Sequence, residues 1–239
     1  SHVMDVKPED NPFLGWRGIR VCLDETALFK AQLKALLRAG SLGEVQILLP
    51  MVSDLSQVTQ VRELLKEVQN ELSKTNHEFS ESCKIGVMVE VPAVVMMIDE
   101  FASTCDFLSL GTNDLTQYAL AVDRGTSRVA GLYDPFHPAV LRMIKAVVEA
   151  AKRNSIPVSI CGEMAGDPLA TQLLIGLGLN QLSLSPGLIP EVKEVIRSTK
   201  KHSASLLADR CMNMKSGIEV RDYLAEEVGD LFPVWMRSK

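Results

Sequence analysis

From Glu44 onward, short β-branched or apolar runs alternate with longer segments of helical period, and no other feature constrains the fold as much. Parallel strands need crossover connections, usually helices, so the pattern predicts repeated βα units. Five runs qualify as strands, at 45–49, 85–89, 107–110, 158–160 and 182–184. They are mostly apolar on both faces, as a parallel sheet covered by helices requires. Helices are expected at 55–73, 93–103, 138–154, 168–177 and 189–198, several opened by Pro in the first turn or by Asp or Ser just before it. Residues 26–39 read as a further helix with Leu28, Leu33, Leu36 and Leu37 inward, closed by Gly40 and lacking a strand of its own. Two polar helices without obvious chemistry, 203–212 and 218–228, finish the pattern. Ser1 and His2 read as the remnant of an expression tag, which sets residues 1–10 apart as remnant and linker and leaves 11–239 as one domain. A chain of 239 residues, 46% hydrophobic, can bury a core of that size.

Charge and composition exclude several roles. A net charge of −5 offers no general attraction to nucleic acid or an anionic membrane, so any phosphate-binding cation must act locally. No apolar run approaches the roughly 20 residues of a membrane span, and the first residues lack the layout of a signal peptide. A cytoplasmic protein with reduced thiols is expected, because Cys22, Cys83, Cys105, Cys161 and Cys211 are odd in number, scattered and without a CxxC pair.

The polar residues collect where the predicted strands end, which in a barrel is where catalytic groups sit. Glu90 and Asp114 end successive strands and are near enough to share a cation across an inter-strand spacing of about 5 Å. Magnesium suits such a pair, since it takes one or two carboxylates and completes its shell with water and substrate phosphate. The alternative is that each carboxylate caps a following helix. Asn113 can donate an amide hydrogen to a phosphate oxygen, and Arg17 and Arg124, each followed by glycine, can grip phosphate or carboxylate bidentately; ordinary turn and surface roles stand beside these. Cys161 ends an apolar strand and precedes Gly-Glu, so it is either an inert buried thiol or one facing a cavity, as nucleophile or proton donor. No histidine partner is evident, which weakens the nucleophile. His137, between Pro135-Phe and Pro138, reads as a turn or cap rather than a phosphoacceptor, and His77 and His202 lie in polar stretches.

Four ordered motifs carry more than spacing does: Asn11-Pro-Phe-Leu-Gly-Trp-Arg-Gly-Ile-Arg20, Val87-Met-Val-Glu-Val-Pro92, Gly111-Thr-Asn-Asp-Leu-Thr-Gln-Tyr118 with Ala121-Val-Asp-Arg-Gly125, and Cys161-Gly-Glu-Met-Ala-Gly-Asp-Pro168. From about Asn11 to Arg197 the chain resembles the C-terminal phosphoenolpyruvate-binding domain of enzyme I of the phosphotransferase system, including its nitrogen-related branch. The resemblance implies a (β/α)8 barrel of the TIM type that binds phosphoenolpyruvate and magnesium at the carboxyl ends of its strands. It assigns Glu90 and Asp114 to the metal, Asn113 to phosphate, Arg17 and Arg124 to substrate anchoring, and Cys161 to protonation of the enolate carbon as pyruvate forms. It further implies transfer to a histidine on an N-terminal domain, then to a histidine phosphocarrier protein, and dimerisation through the barrel.

This chain departs from that pattern in one respect. The family barrel has three strand–helix units before the Asn-Pro-Phe-Leu-Gly-Trp-Arg motif, with further arginine, glutamate and lysine positions, and none occurs here. The expectation is a truncated, partial barrel of five units with exposed sheet edges, unable to complete phosphotransfer alone. Two readings stand beside it: the related barrel of pyruvate phosphate dikinase or phosphoenolpyruvate synthase, and a non-catalytic dimerisation or regulatory fragment.

Overall fold

The computed structural model describes residues 9–75 and 78–228, so His2 and His77 lie outside the described residues. The chain forms two compact units, Ser1–Lys84 and Ile85–Lys239.

The first unit contains α1 (Ile19–Asp24), α2 (Thr26–Ala39), β1 (Gln46–Leu49) and α3 (Leu55–Leu72). Helix α3 begins where a capping box satisfies its first amides: Asp54 Oδ1 accepts from the Ser56 N–H at 2.8 Å, and Gln57 Oε1 accepts from the Asp54 N–H at 3.2 Å. Its buried stripe of Val58, Val61, Leu65, Val68 and Leu72 packs against α2. The inward face of α2 holds Leu33 and Leu37 as expected, but Phe29 completes the buried i, i+4 row while Leu28 is exposed and Leu36 half-buried. A large aromatic four residues before Leu33 wins the core position over a leucine five residues before it. Residues 19–24 form a helix that the sequence pattern did not suggest.

The second unit holds three hydrogen-bonded parallel strands, β2 (Lys84–Val89), β3 (Phe107–Gly111) and β4 (Val158–Cys161), in that order. Their centres are fully buried at Val87, Leu108, Leu110 and Ile160, as expected of a sheet covered on both faces. The fifth expected strand, 182–184, is reduced to one bridge between Ile160 and Leu182, with Ser183 N–H donating to Ile160 O at 2.8 Å. Its neighbours Ser183 and Ser185 are exposed, so the burial that holds the other strands is missing there.

The helix expected over 93–103 is two helices, α4 (Pro92–Met96) and α5 (Ile98–Thr104), broken at Met97 with φ −117° and ψ 30°. Helix α6 (Thr112–Leu120) starts directly from the end of β3, and α7 (Pro138–Arg153) presents Val140, Leu141, Ile144, Val147 and Val148 to the interior. The chain continues through α8 (Pro168–Leu177), α9 (Ile189–Ser198), α10 (Lys201–Met212) and α11 (Gly217–Val228), with α9, α10 and α11 all packing on α8. No helix of the described residues is long and apolar enough to cross a membrane.

Candidate active site

Register brings the strand ends together. Val89 faces Leu110, and Gly111 faces Cys161, so Glu90, Gly111 and Cys161 form a row at the carboxyl end of the three strands. A Cβ placed on Gly111 would lie 3.0 Å from Glu90 Oε2. Glu90 is 5% exposed and Asp114 6%, which is unlike a solvated cap. Helix α4 is entered at Val91 and α6 at Gly111, neither with a side-chain cap bond, so neither carboxylate is the cap that the alternative required. Asp114 instead occupies the first turn of α6, where the helix dipole favours negative charge.

The thiol of Cys161 donates to Leu110 O at 3.3 Å, while the Ser109 hydroxyl, itself accepting from Ser159 Oγ, lies 3.9 Å from the sulfur. Burial pushes the thiol pKa up; the Ser109 contact opposes this, and the negative charges of Glu90 and Asp114 push it up further. Cys161 is therefore a protonated donor at neutral pH rather than a thiolate. Thr112 Oγ1 donates to Cys161 O at 2.8 Å, fastening the start of α6 to the end of β4.

Gly162 adopts φ +94°, and a Cβ there would come within 2.6 Å of Thr112 Oγ1 and 2.8 Å of Asn113 Oδ1, so both dihedral and space demand glycine. The turn it makes delivers the Glu163 N–H to Asn113 Oδ1 at 2.9 Å. With its oxygen engaged, Asn113 has its NH2 edge to offer a ligand. The Tyr133 hydroxyl donates to Asn113 O at 3.4 Å, and burial holds that phenol above its usual pKa, hence neutral.

Arg124 is presented by a turn after α6. Ala121 takes the left-handed conformation with φ 53°, and Asp123 accepts from the Gly125 N–H at 2.7 Å and from Thr126 Oγ1 at 2.9 Å. The Arg124 guanidinium then lies 4.0 Å from Asp114 Oδ1 and 3.4 Å from Glu163 Oε1, and its backbone N–H donates to Gln117 Oε1 at 3.3 Å. Beside these groups opens a cleft of about 550 Å³, lined by Asn113, Cys161, Gly162 and Glu163 together with Ser183 and Ser185.

Five of the six residues singled out by sequence thus gather at one strand-end face: Glu90, Asn113, Asp114, Arg124 and Cys161. Arg17 belongs to the first unit, where its guanidinium stands 5.5 Å from the Phe13 ring centroid. His137 is the N-cap of α7, its Nδ1 accepting from the Ala139 N–H at 3.1 Å, as the capping reading expected. Among the described residues no group of three or more His, Cys, Asp or Glu side chains forms a metal cage. A carboxylate pair is nevertheless what an ion completed by water and substrate oxygens needs. Sequence reasoning did not single out Thr112, Gln117, Tyr133 or Glu163. Thr112 and Gln117 lie inside the motif around Asp114 and Glu163 adjoins Cys161-Gly, whereas nothing local marks Tyr133.

Residues 2–201 match the family model described as PEP-utilising enzyme, PEP-binding domain. The chain is 41% identical over 223 residues to the phosphoenolpyruvate-protein phosphotransferase of Staphylococcus carnosus, covering 93% of this chain and 39% of that protein. It is 40% identical over 223 residues to the protein of the same name from Bacillus subtilis, with the same coverage. Over 218 residues it is 42% identical to a Salmonella typhimurium protein named for the phosphoenolpyruvate-dependent phosphotransferase system, covering 91% of this chain and 29% of that one. The chain therefore spans well under half the length of these relatives. Among solved structures, a citrate lyase from Burkholderia xenovorans matches with a TM-score of 0.52 at 14% identity, covering 86% of this chain and 70% of that one. That likeness concerns the fold alone, an α/β architecture of the TIM-barrel type.

Proposed function

Because the chain belongs to the family of PEP-utilising enzymes through its PEP-binding domain, we propose that it binds phosphoenolpyruvate and forms part of a phosphoenolpyruvate-protein phosphotransferase. The observation that carries this reading is the strand-end row Glu90–Gly111–Cys161, with Asn113 and Arg124 beside a neutral thiol. Residues 11–239 act as a partial barrel domain in this reading. Transfer runs to a histidine on an N-terminal domain and from there to a histidine phosphocarrier protein, in a cytoplasmic homodimer.

Each residue has a defined task. Arg124 meets the anionic substrate with its guanidinium fork, exchanging the exposed Glu163 carboxylate for phosphate, and Arg17 is the second anchor. Asn113 donates its amide NH2 to a phosphate oxygen. Glu90 and Asp114 would hold magnesium, which when bound neutralises charge on the transferring phosphoryl group. As the phosphorus–oxygen bond breaks and a phosphorus–nitrogen bond forms on the acceptor histidine, the enolate oxygen keeps the bonding pair. Collapse to the ketone then places electron density on the methylene carbon, which takes the proton from Cys161 Sγ, and solvent reprotonates the thiolate.

Calorimetry of the chain with phosphoenolpyruvate and magnesium tests the reading. Saturable heat that disappears in Asp114→Ala is expected, and Cys161→Ala should keep the heat while losing pyruvate formation in the complete enzyme. Absence of heat in the unmodified chain would instead favour a non-catalytic fragment.

A further inference from the structure

Two loops carry the site, and one of them is fastened to a side chain of α11. The first loop, 121–137, bears Arg124 and Tyr133 and contains only one short 3-10 turn, Ala130–Leu132. It closes in a knot at Asp134, whose carboxylate accepts from the Phe136 N–H at 3.0 Å and whose carbonyl accepts from the His137 N–H at 3.1 Å. The second loop, 162–167, bears Glu163 and ends at Asp167, the N-cap of α8, whose Oδ1 accepts from the Leu169 N–H at 2.9 Å.

Arg221, in the second turn of α11, reaches the first of them. Its Nη2 donates to Asp134 Oδ1 at 2.8 Å, and its guanidinium carbon stands 5.0 Å from the centroid of the buried Phe136 ring. Its positive charge also acts on Asp167, opposing the upward push that burial gives that carboxyl. The helix that supplies it is anchored: Val220 and Leu224 are completely buried, and α11 packs on α8. Gly217, the first residue of α11, lies so close to the Asp134 carboxylate that a Cβ there would overlap it.

We propose that Arg221 is a positioning residue for the phosphoenolpyruvate site, tying the Arg124–Tyr133 loop to α11 and so fixing where Arg124 stands and where the Tyr133 hydroxyl meets Asn113. The Arg221 side chain is 49% exposed, and an ion pair that exposed adds little to global stability. Loops open locally at a far smaller free-energy cost than the whole fold, so the same modest interaction is decisive there. A seventeen-residue segment with almost no secondary structure needs such a fastening if it is to hold an anchor in reactive geometry.

The proposal rests on the functional reading above, and its test separates the two. Amide hydrogen exchange is measured on the metal-free, ligand-free chain as wild type, Arg221→Ala, Arg221→Lys and Asp134→Asn, with phosphoenolpyruvate and magnesium titrated into each by calorimetry. In R221A, segment 121–137 should exchange about tenfold faster while β2, β3 and β4 stay unchanged, and the dissociation constant should rise by about the same factor. R221K, which keeps the charge but not the planar fork, should fall between. D134N should loosen 121–137 and leave 162–167 protected. Unchanged exchange in R221A overturns the proposal, and so does a uniform increase across the sheet, which would make α11 merely a stabilising helix. A wild-type chain that binds no phosphoenolpyruvate removes the functional reading, and the exchange data then decide on Arg221 by themselves.

Discussion

Cys161 shows how position rather than residue type sets chemistry. The chain has five cysteines, and burial also lifts the thiols of Cys22 and Cys211, the latter to about 11. Cys161 differs from these two in combining burial with two carboxylates that raise its pKa and a cleft into which it can deliver a proton. The sign follows from linkage. A thiol whose folded pKa is raised contributes stability that is complete below its unfolded value of about 8.5 and is lost as pH rises through the folded value. Reactivity follows the same coordinate, since only the thiolate is alkylated. In metal-free buffer, iodoacetamide labelling of Cys161, followed by mass spectrometry across a pH series, should therefore reach half its maximal rate above pH 8.5 or so. Glu90→Gln should move that midpoint downward by removing one negative neighbour. A midpoint at neutral pH would contradict the proton-donor assignment.

At the scale of elements, the packing of α8 against α10 depends on a single absent side chain. Gly176 lies in the last turns of α8, where a Cβ would overlap the Ala204 carbonyl and come within 2.8 Å of Ala208 Cβ. The obstacle is helix backbone, so relaxation is expensive. Gly176→Ala should destabilise by about 1 to 3 kcal/mol despite the better helix propensity of alanine. A thermal melt at least as stable as wild type would show that α10 can slide away. The same scale shows what the sequence made legible. Strands β2, β3 and β4 were readable because their buried positions leave mostly apolar runs, and α8 and α9 because Pro168 and Pro190 mark their starts. The break at Met97 was not, since Met96 and Met97 are good helix formers with 83% and 41% exposure and no punctuating residue. Likewise the motif residues were legible as a set, while the Glu163–Asn113 bond and the reach of Tyr133 to Asn113 span 50 and 20 residues and arise only from register and turn geometry.

For the molecule as a whole, the sheet edge after β4 bears on behaviour in solution. Among the described residues the sheet continues beyond β4 only through the Leu182 bridge, and an open sheet edge is a template for another chain. Beside it lies a groove of about 370 Å³ lined by Leu182, Leu184, Ile189, Val192 and Ile196. Ile189 and Ile196 are 46% and 41% exposed, and Leu188 next to them is 38% exposed, so this edge presents exposed apolar side chains, with Asn180 and Lys193 also on the groove. A net charge of −5 gives only weak general repulsion between copies. The chain should therefore associate with itself in a concentration-dependent way, seen by sedimentation velocity as a rising mean mass. Ile189→Lys combined with Ile196→Lys places two charges on the groove without touching Cys161, Asn113 or Arg124, and should return the chain towards monomer while leaving its circular dichroism unchanged. Because the effect is apolar in origin, added salt should strengthen rather than weaken the association of the unmodified chain. Association that disappears at high salt, or that the double substitution leaves intact, would place the contact on a different surface from the open edge.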